Sequence, residues 1–146
     1  MEYRIRPFRT DDTDAVVALW ESCGLVRPWN DPRRDIARKL TVQPELFLVA
    51  EQGTDDRGAG IVAAGMAGFD GHRGWVNYLA VRPELQGSGL GRTLMAEFER
   101  LLTDLGCPKV NLQVRAGNEQ VLGFYASLGY ADDQTVSLGK RLIPDV

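Results

Sequence analysis

Hydrophobic residues recur along the chain at two spacings, which together predict alternating strands and helices. Two-residue alternation or short apolar runs predict strands over residues 3–8, 46–51, 61–69, 75–81 and 109–114, with a last strand within 135–143. Apolar stripes at helical spacing predict helices over residues 11–23, around Ile36 and Leu40, and over 92–105 and 118–128. The predicted order is strand, two helices, three strands, helix, strand, helix, strand.

Turn and capping residues mark where these elements begin and end. The cluster Thr10-Asp11-Asp12 is expected to cap the first helix, Gly24 to end it, and Asn30 or Asp31 to cap the second. A polar turn over 53–60 and a turn over 70–74 separate three successive strands, which predicts an antiparallel meander. Trp20 lies on the apolar face of the first helix and is expected in the core.

Composition indicates a globular protein without a membrane or nucleic-acid partner. The 146 residues, 44% hydrophobic and 25% charged, predict a single domain over 1–146. No apolar run approaches the length of a membrane span, and the N-terminus lacks a signal-peptide pattern, so a cytoplasmic location is expected. A net charge of −3 provides no long-range attraction for a nucleic-acid backbone.

Two cysteines and one histidine restrict the chemistry. A disulfide scaffold is excluded, and no zinc cluster is expected. Cys23 and Cys107 are predicted at helix ends without a histidine partner, so they are interpreted as buried structural thiols rather than nucleophiles.

A basic group surrounds the second predicted helix, and an aromatic turn precedes it. The basic residues form either a solvated helix face or a site for an acidic substrate: Arg27, Arg33, Arg34, Arg38 and Lys39. In the turn Arg27-Pro-Trp-Asn-Asp-Pro32, Trp29 is either a hydrophobic staple on the helix or a wall of a substrate pocket. Arg27 and Asn30 share these two interpretations.

Three glycines within five residues connect the fourth predicted strand to the long helix. Gly87, Gly89 and Gly91 permit positive φ and close approach of a ligand to the backbone. Unpaired amides at a helix start favour an anion such as a pyrophosphate. The spacing fits neither the dinucleotide fingerprint nor the P-loop, and a turn that binds nothing is the alternative.

Two motifs resemble one enzyme family. The form Gln-x-x-Gly-x-Gly on Gln86, Gly89 and Gly91, after Leu-Ala-Val-Arg-Pro, is similar to the coenzyme-binding motif of the GNAT superfamily of acetyl-CoA-dependent N-acyltransferases. In the segment 118–130, Asn118, Tyr125, Gly129 and Tyr130 match a second family motif. The segments Arg-Pro-Trp-Asn-Asp-Pro and Asp-Gly-His-Arg-Gly also resemble the YpeA-type branch.

The resemblance implies a fold and a set of binding residues. The expected fold is α/β (α+β), with a mixed, mostly antiparallel central sheet, splayed strands and about four helices packed on its two faces. Acetyl-CoA would be the co-substrate, with no metal. Its pantetheine arm would bind Leu79, Ala80 and Val81, and its pyrophosphate would bind Gln86, Gly87, Ser88, Gly89, Leu90, Gly91 and Arg92. Asn118 and Tyr125 complete the implied coenzyme site. Asn118 is alternatively only a helix N-cap, or it performs both functions.

Tyr125 resembles the family's general acid, which protonates the departing thiolate; the alternative is a core aromatic residue. No matching general base is present, because residues 75–81 contain no carboxylate and Gln113 stands where similar acetyltransferases have glutamate. Deprotonating an amine of pKa about 10.4 at pH 7 costs nearly 5 kcal/mol, whereas an α-amine near 8 costs only about 1. Asp70, His72 or Glu84 are candidates for a proton relay through water, and each is alternatively a turn or surface residue. Asp70 and His72 are also candidate substrate residues.

The sequence determines neither the acceptor amine nor the oligomeric state. A peptide α-amine, a lysine side chain, a polyamine, an aminoglycoside and a free amino acid all fit, and the resemblance allows a homodimer. Two non-catalytic functions are alternatives: an acyl-CoA-binding sensor or regulatory module, and a regulator that binds nucleotide phosphates at the glycine turn.

Overall fold

Five strands form one sheet in chain order. The computed structural model describes residues 3–53 and 60–145. The strands are β1 (Tyr3–Pro7), β2 (Phe47–Gln52), β3 (Ile61–Phe69), β4 (Gly74–Val81) and β5 (Val110–Leu112). Strands β1 to β4 pair antiparallel, which confirms the predicted meander, and β5 pairs parallel to β4. Most of the polar turn predicted over 53–60 lies outside the described residues.

In the described part of the chain, four α-helices accompany the sheet, close to their predicted positions. They are α1 (Thr13–Ser22), α2 (Pro32–Lys39), α3 (Leu90–Asp104) and α4 (Glu119–Ser127). A short 3₁₀ turn, Thr10–Asp12, replaces the first residues of the predicted first helix. Within residues 3–53 and 60–145, every helix is too short or too polar to cross a bilayer.

The helices bury the two faces of the sheet in separate hydrophobic clusters. Helices α1 and α2 cover one face, where Trp20 is fully buried as predicted and stacks near Phe47. Helix α3 covers the other face through a stripe at helical spacing: Leu90, Leu94, Met95, Phe98 and Leu102. This two-sided packing confirms the expected fold class.

The sheet opens between β4 and β5. Gly74, Trp75 and Val76 pair with β5, and within residues 3–53 and 60–145 no strand pairs with the rest of β4 on that edge. A register shift against β3 coincides with Tyr78 at φ 57°, a conformation that non-glycine residues rarely adopt. The bulge and the early end of β5 together produce the splayed strands that the family resemblance implied.

The prediction of strands near the C-terminus is wrong in two places. Residues 135–143 form no strand, and β5 has three residues instead of the six predicted over 109–114. Four apolar side chains whose spacing suggested a strand are largely exposed: Val136, Leu138, Leu142 and Ile143. They meet no apolar face of the described chain, so hydrophobic burial does not fix this segment as a strand.

Asp31 caps α2, and its replacement tests this local stabilisation. Its Oδ1 accepts hydrogen bonds from the amides of Arg33 (2.9 Å) and Arg34 (3.4 Å). We expect Asp31→Ala to lower the free energy of unfolding by about 1 kcal/mol. For a chain of this length the melting temperature should fall by about 2–4 °C. Asp31→Asn keeps an acceptor and should melt near the wild type; equal melting of all three proteins would contradict the capping role.

Candidate functional site

The glycine turn leads directly into α3 and leaves backbone amides open. Gly87 and Gly89 adopt φ 86° and 92°, and Gly89 is the N-cap residue. The first helical hydrogen bond runs from the Thr93 amide to the Gly89 carbonyl, so the amides of residues 90–92 have no acceptor inside the helix. A Cβ at Gly87 or Gly89 would meet nothing within 4 Å. The turn therefore presents donors at the positive end of the helix dipole toward open space.

The end of β4 lies against this turn. The Val81 carbonyl accepts hydrogen bonds from the Gln86 side chain (3.1 Å) and from the Cys23 thiol (3.3 Å). Gln86 thus ties the turn to the strand, and Cys23 brings the end of α1 to the same point. The candidate pantetheine residues Leu79, Ala80 and Val81 lie on the part of β4 that β5 does not cover.

Helix α4 brings the second sequence motif beside the first. A Cβ on Gly91 would lie 3.1 Å from the Phe124 ring, so α4 packs closely on the first turn of α3. The Arg92 side chain also reaches the Ser127 carbonyl and hydroxyl at 3.4 Å. The structure therefore brings together the glycine turn and the helix carrying Tyr125, which lie more than thirty positions apart in the sequence.

Tyr125 lines a groove of about 1320 Å³ between β5, α4 and the C-terminal segment. Its ring makes edge contacts with Phe124 (5.0 Å between centroids) and Tyr130 (5.7 Å). Within the described residues its hydroxyl has no hydrogen-bond partner. Burial raises the pKa of Tyr125 to about 12, so the phenol stays protonated at neutral pH and is free to donate.

Asn118 performs the structural role that the sequence allowed. Its side-chain oxygen accepts a hydrogen bond from the Val121 amide at 3.2 Å and so caps α4. The cap engages the amide oxygen, and the amide nitrogen has no hydrogen-bond partner among the described residues.

The candidate proton-relay residues are spread over the molecule. Asp70 accepts hydrogen bonds from the amides of His72 (2.8 Å) and Arg73 (2.7 Å), and these bonds lower the pKa of its carboxyl group. This turn precedes β4, at the opposite end of that strand from the glycine turn. Glu84 is exposed beside the glycine turn, 3.5 Å from Arg82. The Gln113 amide donates to the Ser137 hydroxyl.

The aromatic turn before α2 contacts the chain that follows β5. The Arg115 guanidinium lies 5.6 Å from the centre of the Trp29 ring, which is 49% exposed. About half of the Trp29 side chain is therefore open to a ligand, and the choice between a staple and a pocket wall stays a prediction. Asn30 accepts a hydrogen bond from Arg141 at 2.7 Å, and the Arg27 Nε is buried without a partner.

The basic group around α2 is more tightly paired than a solvated face. Arg33, Arg34 and Arg38 each pair with a carboxylate. Lys39 donates to the Ala67 carbonyl at 2.5 Å, and burial lowers the pKa of its ammonium group. Arg27 differs from the other four because no described residue pairs with it.

The two thiols are only partly buried, which corrects the prediction that both lie in the core. Burial raises the pKa of Cys23, which disfavours the reactive thiolate. Among the described residues, no group of three or more His, Cys, Asp or Glu side chains could hold a metal ion.

Two tyrosines near the site form hydrogen bonds that the sequence analysis did not predict. The Tyr78 hydroxyl donates to Asp35 at 2.6 Å while its ring stacks on Trp20 at 4.1 Å. The Tyr130 hydroxyl donates to Glu99 at 2.6 Å, which places a carboxylate in the groove beside Tyr125. Tyr130 stood in the second motif, but nothing in the sequence linked it to Glu99.

Comparison with known proteins agrees with this arrangement. The family model described as "Acetyltransferase (GNAT) family" matches residues 11–130. An acetyltransferase of Pectobacterium atrosepticum is 49% identical over 141 residues, covering 97% of this chain and 96% of that protein.

Two solved structures share the fold. The ribosomal-protein-S18-alanine N-acetyltransferase from Escherichia coli has a TM-score of 0.69 at 22% identity and covers 88% of this chain and 77% of its own. The NatC complex bound to Gag peptide and CoA has a TM-score of 0.75 at 19% identity, covering 88% and 84%. With the family match over most of its length, this chain belongs to the GNAT acetyltransferase family.

Proposed function

We propose that this protein transfers an acetyl group from acetyl-CoA to a primary amine by direct attack within a ternary complex. Three neighbouring features of the described residues carry the proposal: an edge of β4 without a strand partner, open amides at the start of α3, and a tyrosine hydroxyl without a hydrogen-bond partner on the adjacent α4. Family membership supplies the class of reaction.

The residues fit a coenzyme with a pyrophosphate and an amide-bearing arm. The open amides of residues 90–92 and the unobstructed turn at Gly87 and Gly89 suit phosphate oxygens. The uncovered edge of β4, including Leu79 and Val81, suits a strand-like arm that pairs with the backbone. Gln86, Ser88 and Asn118 would supply side-chain contacts. We propose that the coenzyme binds to Leu79 to Val81, Gln86 to Arg92, Asn118 and Tyr125.

When bound, acetyl-CoA supplies an activated thioester; the chain supplies positioning and a proton. The amine nitrogen forms a bond to the carbonyl carbon, and the carbon–sulfur bond breaks. Backbone amides of β4 would polarise the carbonyl oxygen. Tyr125 would donate its hydroxyl proton to the sulfur, the acylated nitrogen would release its extra proton to water, and Tyr125 would regain a proton from water. With a pKa of about 12 against about 8.5 for a thiol, complete transfer is uphill by about 5 kcal/mol, so the donation acts through a positioned hydrogen bond.

We propose that no protein side chain serves as a dedicated base. Gln113 cannot accept a proton, and its amide is held by Ser137. Asp70 is held by backbone amides in its turn, and Glu84 lies on the exposed surface. The reaction would then favour amines that are substantially unprotonated near neutral pH, such as α-amines.

The deciding measurement is release of free CoA from acetyl-CoA with a panel of amines, alongside calorimetry of acetyl-CoA binding. Binding with amine-dependent release supports the transferase. Binding without release on any amine would instead favour the acyl-CoA sensor, which the missing base also suggests. Absence of binding would contradict the assignment of the glycine turn, and tighter binding of nucleotides that lack pantetheine would favour the nucleotide regulator.

The pH dependence of the reaction tests the assignment of acid and base. Without a protein base, kcat/KM should rise with pH and level off near the pKa of the acceptor, about 8 for an α-amine. Because the pKa of Tyr125 is about 12, its proton is retained and no fall is expected up to about pH 10. With acceptors of different pKa, the pH at which kcat/KM levels off should shift in step with the pKa of the acceptor amine. A limb that stays fixed for all acceptors would identify a base on the protein.

A further inference from the structure

We infer that the acceptor amine carries an anionic oxygen group, a carboxylate or a phosphate, which Arg27 and Arg115 bind beside Trp29. This inference rests on the proposed transferase function and names the class of acceptor. It follows from where the aromatic turn lies, which side chains it assembles, and which charges near it are left uncompensated.

The turn spans the open end of the gap between β4 and β5. At one side, Cys23 at the end of α1 contacts Val81 at the end of β4. At the other side, Trp29 contacts Arg115, three residues beyond β5. Because β4 and β5 are parallel, their carboxyl ends lie at the same edge of the sheet. The segment 24–31 therefore crosses this edge, where a molecule approaching a thioester held between the strands would pass.

Arg27 and Arg115 are both connected to Trp29, the first through the backbone of the turn and the second through a ring contact. The Asn30 amide donates to the Arg27 carbonyl at 3.0 Å, which closes a tight turn with Trp29 inside it. The Arg115 guanidinium lies over the Trp29 ring, a contact that orients its planar donor groups. Arg115 thus lies over the half-exposed indole, and Arg27 begins the tight turn that contains the same residue.

The acidic groups near the turn are already paired with other cations. Asp31 caps α2 and lies 3.6 Å from Arg34. Asp145 is buried against Arg38 at 2.5 Å and lies 3.9 Å from Arg141. The remaining acid nearby, Asp35, accepts from Arg38 and Tyr78.

Arg27 and Arg115 are left without a carboxylate among the described residues. The Arg27 Nε is also buried with no hydrogen-bond partner. An anionic ligand that reaches the terminal N–H groups of these two guanidinium groups would compensate their charge and gain charge-assisted hydrogen bonds. The forked guanidinium matches the two oxygens of a carboxylate or phosphate.

The test compares matched pairs of acceptors that differ only in the anionic group. Suitable pairs are β-alanine with its amide, for a carboxylate, and phosphoethanolamine with ethanolamine, for a phosphate. Rates are expressed per concentration of unprotonated amine. We expect kcat/KM at least about tenfold higher for the charged member of one pair, and the pair showing it distinguishes carboxylate from phosphate.

Variants of the two arginines assign the preference to this turn. Arg115→Gln should remove most of the kcat/KM preference for the anionic acceptor, and Arg115→Lys should keep part of this preference. Arg27→Gln should lower the preference independently of Arg115. Arg100→Gln is the matched control, because Arg100 is an exposed guanidinium on α3 paired with Glu97 and Asp104. Thermal unfolding of each variant checks that the fold is kept. A preference unchanged in both Arg115→Gln and Arg27→Gln would overturn the inference, as would equal rates within both wild-type pairs.

A binding measurement separates this inference from the proposed function. Calorimetry with CoA present compares N-acetyl-β-alanine with N-acetyl-β-alaninamide, and O-phospho-N-acetylethanolamine with N-acetylethanolamine. At least about tenfold tighter binding of one anion, lost in Arg115→Gln, supports the anion site even if no amine is turned over. Equal binding within both pairs contradicts the site even if turnover is found.

Discussion

Replacing Tyr125 with phenylalanine is expected to slow acetyl transfer at neutral pH by at least about tenfold, and by up to about 10⁴-fold, because general acid assistance typically contributes 10² to 10⁴. The affinity for CoA should stay near that of the wild type. Steady-state kcat with a good acceptor and calorimetric titration with CoA measure the two quantities separately.

The expected result follows from what surrounds the hydroxyl. The Tyr125 ring is fixed by edge contacts with Phe124 and Tyr130, which the phenylalanine ring would keep. The lost hydroxyl has no hydrogen-bond partner in the part of the chain that the structure describes, so its removal leaves no described polar atom unsatisfied. Stability should therefore change little while the proton donor is lost.

Tyr130→Phe is the matched control. It also removes one phenol from the groove, but that hydroxyl is already engaged with Glu99 at 2.6 Å. Turnover in this variant should stay within about threefold of the wild type, which is well below the range expected for loss of a general acid. If Tyr125→Phe turned over as fast as the wild type, Tyr125 would not be the acid; equal slowing in both variants would indicate a structural effect of the aromatic cluster.

Replacing Gly89 with valine is expected to abolish CoA binding, with an affinity loss of at least about 100-fold, without unfolding the protein. Gly89 has φ 92°, which a β-branched residue adopts at a cost of about 1–3 kcal/mol. Its Cβ would face open space and meet no protein atom within 4 Å. Gly89 directly precedes the open amides of residues 90–92, so we expect the valine side chain to exclude a phosphate from the helix start. Calorimetry with CoA gives the affinity, and thermal unfolding gives the stability.

Gly106→Val separates backbone strain from obstruction of the turn. Gly106 follows the opposite end of α3, has φ 85°, and also has no atom within 4 Å of an added Cβ. This variant should lose stability to a similar degree and still bind CoA. Wild-type affinity in Gly89→Val, or an equal loss of affinity in both variants, would contradict the phosphate-binding role of the glycine turn.

Tyr78 and the residues near it show where local pattern failed. The alternation over β4 predicted a regular strand, whereas Tyr78 lies at φ 57° in a bulge and bonds to Asp35. A two-residue period fixes which side chains share a face, but it does not report a register shift that depends on the neighbouring strand. The hydrogen bond between Tyr130 and Glu99 was not predicted for a similar reason, because it depends on how α3 packs against the chain after α4.

The sequence by itself determined the order of elements from β1 to α4, the helix positions to within a few residues, and the glycine turn at the start of α3. These are local properties, set by apolar spacing, caps and residues that tolerate positive φ. The match of two motifs to one family also gave the fold class before any contact was known, and the structure confirmed it.

Only the tertiary structure decided how the separate motifs meet. It placed α4 on the first turn of α3, opened β4 and β5 beyond Val76, and carried the Trp29 turn to Arg115. It also left residues 135–143 outside the sheet despite their apolar side chains. These outcomes depend on packing and burial between distant segments, and the sequence pattern of one segment contains no information about which surface another segment will offer it.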